Sequence, residues 1–408
     1  MSLAITIPPQ PAEGFALLKA LTQRYLERQQ LSGGAVAPLI DLSVGNPDVL
    51  PAAYWQERLI HHIKDPNMHG YAEFSAQTNL ALREQFIAYH QRRFEGASSV
   101  PLHAEHHVLD LLGSKEGIFY ALLAFLKPGE TVLLPDPSYS VYQSCAEQAG
   151  AHVAYFSCDE QGQPDVSTIT PQQLENARLL VLCSPNNPTG KLLTAHALQR
   201  TLAFARRHSL KIILDRAYAE LINAPASPTL QGSGLHLEGA MDCMIELHSL
   251  SKSCGLAGWR IGFAVGAQTM IESMKHLKFN SDFGMFLPFQ RVATELLGQL
   301  ECVSTPISAR YSQRIVQAVR TFNALGWEVE VPEGGFFLWA TLPAHTRPAC
   351  DVAFTQMLLN ETGILVTPGS AFGPAGKGHV RIALVQNEAV LACVFERLAR
   401  WSSLAKAS

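Results

Sequence analysis

The residues best suited to chemistry lie around Lys252, which is flanked by the hydroxyl groups of Ser249, Ser251 and Ser253. Arg260 follows eight residues after the lysine. The lysine amine can form a Schiff base with a carbonyl compound, and the hydroxyls with the guanidinium can hold a phosphate. Pyridoxal 5'-phosphate (PLP) carries both groups. The segment is therefore typical of a PLP site, although a lysine in a polar surface loop would look similar.

Other polar residues follow segments with the apolar pattern of β-strands. From about residue 107 these segments alternate with helical periodicity, which indicates an α/β domain with a mostly parallel sheet. The predicted strands are residues 132–135, 153–156, 179–183, 212–214, 244–247 and 261–265. In such sheets ligands bind beyond the carboxyl ends of the strands. Polar residues follow four of these ends, namely Tyr139, Asn187, Asp215 with Tyr218, and Lys252. We therefore predict one shared site.

Each of these residues has a possible role toward a pyridine ring. Asp215, if buried beside the ring nitrogen, would keep that nitrogen protonated. Tyr218 and the Asn187 amide could donate to the ring oxygen, and Tyr139 could stack on the ring. The alternatives are a solvated turn aspartate, ordinary aromatic packing and a plain loop asparagine.

Two anion sites are also indicated. Gly113 and Ser114 precede an apolar helical run, and the N–H groups at such a helix start bind phosphate, although any capped helix looks similar. Arg381 lies inside an apolar strand, where either a substrate carboxylate or an internal salt bridge could balance its charge. Gly45 ends a short strand and allows a close backbone approach to a ligand.

Several motifs together resemble the fold-type I, class I/II PLP-dependent aminotransferases over nearly the whole chain, from about Pro38 to Arg381. The motifs are Ser184-Pro-Asn-Asn-Pro-Thr-Gly190, Asp215-x-Ala-Tyr218, Ser249-Leu-Ser-Lys252 and Gly258-Trp-Arg-Ile-Gly262, with Arg381 far downstream. Three further segments most resemble the LL-diaminopimelate aminotransferase-like branch. These are Gly113–Gly117, Pro135–Tyr139 and Gly363–Gly369.

The resemblance implies a role for each candidate. Lys252 would carry PLP and move the Cα proton. Asp215 would pair with the ring nitrogen, and Tyr139 would stack on the ring. Tyr218 and Asn187 would contact the ring oxygen. The phosphate would be bound by Gly113, Ser114, Lys115, Ser249, Ser251 and Arg260. The substrate carboxylate would be bound by Arg381, Asn187 and the Gly45 backbone. Tyr71 would reach the phosphate of a neighbouring subunit, which implies a homodimer.

The sequence departs from that branch at three places. The stretch Ser253-Cys-Gly-Leu-Ala257 differs from the more usual one after the lysine. Arg216 is a large cation where the branch usually has a smaller or neutral residue. The segment after Tyr71 lacks the glycine of the family and is about two residues longer. Glu73 lies in this segment, and we hypothesise that it holds a distal ammonium group of the substrate.

The implied fold is the PLP-dependent transferase fold type I, a mixed, mostly parallel seven-stranded sheet flanked by helices, with a smaller α+β domain. The expected division is residues 1–48 as an N-terminal arm and part of the small domain, 49–300 as the PLP-binding domain and 301–408 as the C-terminal small domain. The implied activity is ping-pong transfer of an amino group from an L-amino acid, diaminopimelate-like or other, to a 2-oxo acid. A PLP-dependent lyase, decarboxylase or oxidase is the alternative.

Composition excludes several other classes. The 408 residues are 47% hydrophobic and 16% charged with a net charge of −4, which is typical of a soluble globular protein and gives no basic footprint for nucleic acid. The eight cysteines form no C-x-x-C motif, so neither a metal site nor a disulfide framework is predicted. No apolar run has membrane-spanning length, and the first residues are not typical of a signal peptide. We expect a cytoplasmic enzyme.

Two rival functions are disfavoured. A nicotinamide dehydrogenase would need the dinucleotide-binding motif, and Gly232-Ser-Gly234 does not continue as that motif. A PLP-binding regulator would need a fused DNA-binding module.

Overall fold

The computed structural model describes residues 13–33, 36–50, 52–72, 77–94, 96–223, 232–343, 346 and 350–407. Its strands are β1 (Ile40–Asp41), β2 (Val108–Leu111), β3 (Thr131–Asp136), β4 (His152–Ser157), β5 (Ala177–Cys183), β6 (Lys211–Asp215), β7 (Met244–Ser249), β8 (Gly262–Gly266), β9 (Glu328–Val329), β10 (Phe337–Thr341), β11 (Ile364–Leu365), β12 (Thr367–Pro368) and β13 (His379–Ala383). Its α-helices are α1 (Glu13–Leu31), α2 (Ala53–Ile63), α3 (Gln77–Arg93), α4 (Ser114–Phe125), α5 (Val141–Gln148), α6 (Pro171–Leu174), α7 (Ala195–Arg207), α8 (Ala240–Cys243), α9 (Leu250–Ser253), α10 (Gln268–Phe279), α11 (Leu287–Leu297), α12 (Leu300–Ala324), α13 (Asp351–Thr362) and α14 (Glu388–Ala407).

The main sheet has seven strands in the order β2-β8-β7-β6-β5-β3-β4. The pairs from β7 to β4 are parallel, and β8 runs antiparallel to both of its neighbours. The prediction of a mixed, mostly parallel seven-stranded sheet flanked by helices is therefore confirmed.

Side-chain alternation along the central strands gives this sheet a core on each face. In β5, Leu180 and Leu182 belong to the apolar cluster on one face, whereas Leu179 and Val181 belong to the cluster on the other. Successive strand residues point to opposite faces, so a strand with helices on both sides needs a continuous apolar run. Full burial of each such side chain contributes about 1.5–3 kcal/mol. The polar residues that end these strands are thereby held at one edge of a rigid layer.

A second sheet lies in the C-terminal part of the chain, with the antiparallel order β12-β13-β10-β9. The short strand β1 pairs in parallel with β11, which brings Ile40 next to Ile364. Ile40 also shares an apolar cluster with Phe354 and Ile382. The beginning of the chain thus packs with its end, although the domain boundaries at residues 48 and 300 stay a prediction.

One strand of the main sheet was not among the predicted ones. Strand β2 is only four residues long, and Asp110 interrupts its apolar pattern. In the structure Asp110 is fully buried, with its Oδ1 2.7 Å from a guanidinium nitrogen of Arg83. The carboxylate is tolerated because a cation on α3 neutralises it, and strand patterns do not reveal such a distant partner.

Helix α12 begins at Leu300 and contains Pro306. A proline removes one N–H donor from a helix, but the buried face of α12 continues through it from Leu300 to Ile307 and Tyr311. In the described part of the chain, no helix is both long and apolar enough to cross a bilayer. All eight cysteines are free thiols, and two of them, Cys302 and Cys350, are exposed rather than buried.

Candidate active site

A cavity of about 600 Å³ lies at the carboxyl ends of β5, β6 and β7. Twelve of the predicted site residues line it, namely Gly45, Ser114, Lys115, Tyr139, Asn187, Asp215, Tyr218, Ser249, Ser251, Lys252, Arg260 and Arg381. These residues come from distant parts of the chain, and the order of the strands brings their side chains together. The structure therefore contains the single shared site that the strand ends predict.

Lys252 lies in α9, the single helical turn that follows β7. Ser249 caps this turn, because its Oγ accepts a hydrogen bond from the Ser251 N–H at 3.2 Å. The Lys252 Nζ donates to the Gly45 carbonyl oxygen at 2.6 Å. Burial lowers the pKa of Lys252 to about 8, and the nearby charge of Arg381 adds to that lowering. A lysine with a lowered pKa is neutral more often near pH 7 and is therefore a better nucleophile.

Asp215 ends β6 as a buried carboxylate, with 4% of its surface exposed. The Tyr142 hydroxyl donates to its Oδ2 at 2.8 Å, and the Ala217 N–H donates to its Oδ1 at 3.0 Å. Burial raises the pKa of Asp215, while these two hydrogen bonds and the charge of Lys252 act in the opposite direction. A cationic group beside this carboxylate would keep it ionised. Tyr142 was not among the predicted site residues, although it follows Tyr139 by three positions, one helical turn.

Arg381 is a buried guanidinium, 3% exposed, without a carboxylate partner among the described residues. Its Nη1 donates to Asn187 Oδ1 at 2.8 Å, its Nη2 donates to the Ser43 carbonyl at 2.6 Å, and its Nε is buried without a partner. The guanidinium carbon lies 4.2 Å from the ring centre of Phe337 and 4.7 Å from that of Phe372. Burial lowers the pKa of Arg381 to about 10. Within the described part of the chain Arg381 makes no internal salt bridge, and an anion in the cavity would balance its charge.

Arg260 belongs to a second cationic region of the cavity. Its Nη1 donates to Ser251 Oγ at 3.2 Å and to the Ala257 carbonyl at 2.8 Å, and its Nη2 donates to the Leu112 carbonyl at 3.1 Å. Its backbone is left-handed, with φ of 56°, a conformation that is uncommon for a residue other than glycine. These contacts hold the guanidinium beside the residue that precedes Gly113.

Gly113 is the N-cap of α4 and has φ of 83°. A Cβ atom at this position would lie 2.2 Å from Nη2 of Arg260, so any other residue would displace that guanidinium and would also strain the backbone. The turn brings the start of α4, with Ser114 as its first residue, next to Arg260. The N-terminal end of a helix carries partial positive charge and free N–H groups, which favour an anion.

Two tyrosines give the cavity aromatic walls. Tyr218 is buried, and its ring centre lies 5.5 Å from that of Phe336 and 5.6 Å from that of Phe337. Burial raises the pKa of Tyr218 well above its ordinary value, so its hydroxyl keeps a proton to donate. Tyr139 is partly buried and contacts Tyr142 edge to face. Phe337 also lines the cavity, but it lies in an ordinary apolar strand and sequence gave no signal for it.

The structure of one chain does not test the predicted roles of Tyr71, Gly45 and Glu73. Tyr71 is 81% exposed and does not line the cavity, and its ring packs at 4.8 Å from that of Phe283. Gly45 lines the cavity, but its carbonyl rather than its N–H makes the contact with Lys252. Glu73 lies outside the described residues.

Comparison with known proteins agrees with this geometry. The chain matches the family "Aminotransferase class I and II" over residues 37–398. It is 33% identical to an LL-diaminopimelate aminotransferase of Dehalococcoides mccartyi, over 90% of this chain and 92% of that one, and 32% identical to the glutamate-pyruvate aminotransferase AlaC of Escherichia coli, over 86% and 83%. The solved structure of BacF without ligand, from Bacillus subtilis, superposes with a TM-score of 0.85 at 30% identity and covers 95% of both chains. The chain belongs to the class I and II aminotransferases, and it is a PLP-dependent enzyme that transfers an amino group from an amino acid to a 2-oxo acid.

Proposed function

We propose that the cavity binds PLP and the amino acid substrate together, with Lys252 as the lysine that carries the cofactor. One observation carries this proposal: Lys252, Asp215, Arg260 and Arg381 converge on one cavity although they lie on separate strands and turns. Each offers a group that one part of the cofactor or substrate requires. The reaction follows a ping-pong order, in which the donor amino acid leaves as a 2-oxo acid before the acceptor binds.

The ring of PLP fits the part of the cavity around Asp215. The buried Asp215 carboxylate, held by Tyr142, would pair with a protonated ring nitrogen. The Tyr218 hydroxyl and the Asn187 amide would donate to the ring oxygen, and Tyr139 would stack on the ring. PLP, when bound, supplies an electron sink for the negative charge that develops at the substrate Cα.

The phosphate fits the region around Arg260. The Arg260 guanidinium, the Lys115 ammonium and the hydroxyls of Ser249 and Ser251 line this part of the cavity. The backbone N–H groups that follow Gly113 add the N-terminal end of α4. Cations, hydroxyls and helix N–H groups are together the usual ligands of a phosphate dianion.

Arg381 would bind the α-carboxylate of the substrate with Asn187 and the Gly45 backbone, because its charge is buried without a carboxylate partner in the described chain. This contact would orient the bound substrate within the cavity that Lys252 also lines. The Lys252 amine, whose pKa of about 8 lies near the working pH, would accept the proton from the substrate Cα and later give it up again.

The test of this proposal is the Lys252→Ala variant. We expect a loss of transamination of about 10⁴-fold or more, since the variant lacks both the covalent link and the general base. The visible absorbance of the lysine-bound cofactor should disappear as well. Lys127→Ala, at an exposed lysine, is the control and should keep both properties. Retention of either property by Lys252→Ala would refute the assignment.

The substrate side chain is part of the proposal. The four cationic residues of the described cavity wall are already assigned to the phosphate, the covalent link and the α-carboxylate. We propose a donor with a charged side chain, diaminopimelate or glutamate, because the chain is similar to an LL-diaminopimelate aminotransferase and to a glutamate-pyruvate aminotransferase. Single-turnover screens with diaminopimelate, glutamate and alanine would test this, with pyridoxamine phosphate measured as the product. A preference for a donor with an uncharged side chain, such as alanine, would contradict it.

We also propose a homodimer in which Tyr71 reaches the phosphate of the neighbouring subunit. Tyr71 is accompanied by three exposed aromatic side chains, Phe279, Phe283 and Phe286. Grouped exposed aromatics are typical of protein interfaces. Mixing the Lys252→Ala and Tyr71→Phe variants should regenerate activity through one intact site per mixed dimer, whereas a monomeric mass in solution would contradict the proposal. The cytoplasmic location stays a prediction.

A further inference from the structure

Arg216 is a buried cation directly beside Asp215 that does not line the cofactor cavity. It is 3% exposed, its Nη1 donates to the Gly232 carbonyl at 2.6 Å, and its guanidinium carbon lies 5.0 Å from the ring centre of Phe94. Its backbone N–H donates to the Leu247 carbonyl of β7 at 2.8 Å. Arg216 is therefore tied to both strands whose ends carry the central site residues.

The counter-charge of Arg216 is Glu246, a fully buried carboxylate on β7. Both of its oxygens are occupied, because Oε2 accepts from His90 and His248 at 3.1 Å each, while Oε1 accepts from Ser233 and from the Gly234 N–H. Burial would raise the pKa of Glu246, but the Arg216 charge and the histidine hydrogen bonds hold it well below its ordinary value.

The two histidines and Glu246 have the residue types of a metal site. Their surroundings argue against that use. The cation of Arg216 lies close enough to act on Glu246, and each carboxylate oxygen already accepts two hydrogen bonds. Burial lowers the pKa of His248 to about 4, so it is neutral and serves as a hydrogen-bond donor. The cluster therefore balances Arg216.

A small internal cavity of about 10 Å³ separates Arg216 from the back of the cofactor site. Its polar wall consists of Arg216, Glu220, His248, Ser249 and Ser253, together with Tyr89. The volume is close to the smallest that holds one water molecule. The Arg216 Nε is buried and has no hydrogen-bond partner among the described residues, whereas buried N–H groups are nearly always bonded. Ser249 lines both this cavity and the cofactor cavity.

We propose that one resident water in this small cavity joins the Arg216 Nε to Ser249, and that Arg216 is thereby a positioning residue for the cofactor phosphate. The inference rests on the proposed function, which assigns Ser249 and Ser251 to that phosphate. Ser249 caps α9 by accepting from the Ser251 N–H, so its orientation sets the start of the turn that carries Ser251 and Lys252. Arg216 acts on the site only through this link.

The Arg216→Lys variant tests the link, because lysine keeps a cation opposite Glu246 but lacks Nε. We expect a melting temperature close to that of the wild type and a dissociation constant for PLP about tenfold higher, similar to the effect of losing an outer partner of a metal ligand. KM for the amino donor at saturating PLP should stay within about twofold, since Arg381 is untouched. Arg207→Lys, at an exposed position of α7, should change none of these values.

A second pair of variants separates positioning from stability. Arg216→Met should lower the melting temperature, and adding Glu246→Gln should restore it by removing the unpaired charge, while PLP affinity stays low. Wild-type PLP affinity in Arg216→Lys, or its recovery in the double variant, would show a merely structural role. A crystal structure at high resolution should contain the water within hydrogen-bond distance of both Arg216 and Ser249, and its absence would also overturn the inference. Failure of the proposed function would instead appear in Lys252→Ala, which does not touch this link.

Discussion

Arg260 and Arg381 line the same cavity, but their surroundings are opposite. Arg260 is exposed, has a left-handed backbone and donates to Ser251 and two carbonyl groups. Arg381 is buried against two aromatic rings and lies in the middle of a regular strand. Water screens the charge of the first, whereas the second acts in a region of low dielectric constant.

This difference suggests two ways to bind an anion in one site. A resident phosphate has two charges and many ligands, so each cation can stay hydrated and contribute modestly. A substrate carboxylate has one charge and must be exchanged in every catalytic cycle, so its recognition depends on one desolvated, well-oriented guanidinium. The predictions below separate the two arginines by what each variant loses.

The largest effect is expected for Arg381→Gln. Truncating one partner of a buried, hydrogen-bonded charge pair costs about 2–5 kcal/mol, so kcat/KM for the amino donor should fall by about 10²–10³-fold. The dissociation constant for PLP should stay within about twofold of the wild type. Steady-state kinetics with a PLP titration checks both values, and Arg207→Gln is the surface control. If Arg381→Gln mainly weakened PLP binding, the proposed difference between the two arginines would be wrong.

For Arg260→Gln we expect a smaller effect, and one on PLP affinity rather than on the kinetics with the amino donor. The variant loses one charge from a phosphate site that keeps Lys115 and the start of α4, so PLP should bind about tenfold more weakly, a typical effect of one charged hydrogen bond. KM for the donor at saturating PLP should be unchanged. Fluorescence or absorbance titration of the apoenzyme measures the affinity. An unchanged affinity would remove Arg260 from the phosphate site.

Gly113→Ala should reproduce part of the Arg260 effect. An alanine would have to adopt φ of 83° and ψ of 160°, a region that costs about 1–3 kcal/mol for residues other than glycine. Its Cβ would also displace the Arg260 guanidinium. We expect a lower melting temperature and PLP affinity reduced by about threefold to tenfold. Gly129→Ala, which also has positive φ but meets no neighbour, controls for backbone strain and should lower only the melting temperature.

The pKa of Lys252 should change when either Arg381 or Arg260 is replaced. Burial, then Arg381, then Arg260 lower the pKa of Lys252 to about 8. Removing a nearby cation stabilises the protonated amine, so the pKa of Lys252 should rise in each arginine variant. The rise should be larger in Arg381→Gln. Labelling of apoenzyme by a small neutral aldehyde with borohydride trapping, followed by mass spectrometry, should show a midpoint shifted to higher pH. A shift to lower pH in either variant would contradict the electrostatic account.

The sequence was informative wherever a functional residue ends an apolar strand. Asp215, Asn187 and Ser249 were found this way, because strand order and the edge of a parallel sheet follow from pattern and turn chemistry. The positive charges of Arg260 and Arg381 indicated a phosphate and a carboxylate as partners, and the resemblance to a family then favoured a substrate carboxylate over an internal salt bridge for Arg381.

What the sequence did not reveal are contacts between elements. The Tyr142 hydroxyl on Asp215, the Arg83 guanidinium on Asp110 and the Glu246 partner of Arg216 each depend on how helices and strands pack. No periodicity encodes such pairs, since a buried charge looks like an error in the pattern until its partner is known.

The strand order has a consequence for folding while the chain is being synthesised on the ribosome. Among the strands that the structure describes, β2 pairs only with β8, and Leu111 lies opposite Gly262. At a ribosomal rate of roughly 5–20 residues per second, the interval between their synthesis is about 8–30 s. During that time β2 has no partner, and neither Gly113 nor Arg260 can contribute to an anion site. The two sides of the proposed phosphate site therefore meet only when β8 has been made and pairs with β2, so tight PLP binding by a nascent chain would mark the completion of the main sheet.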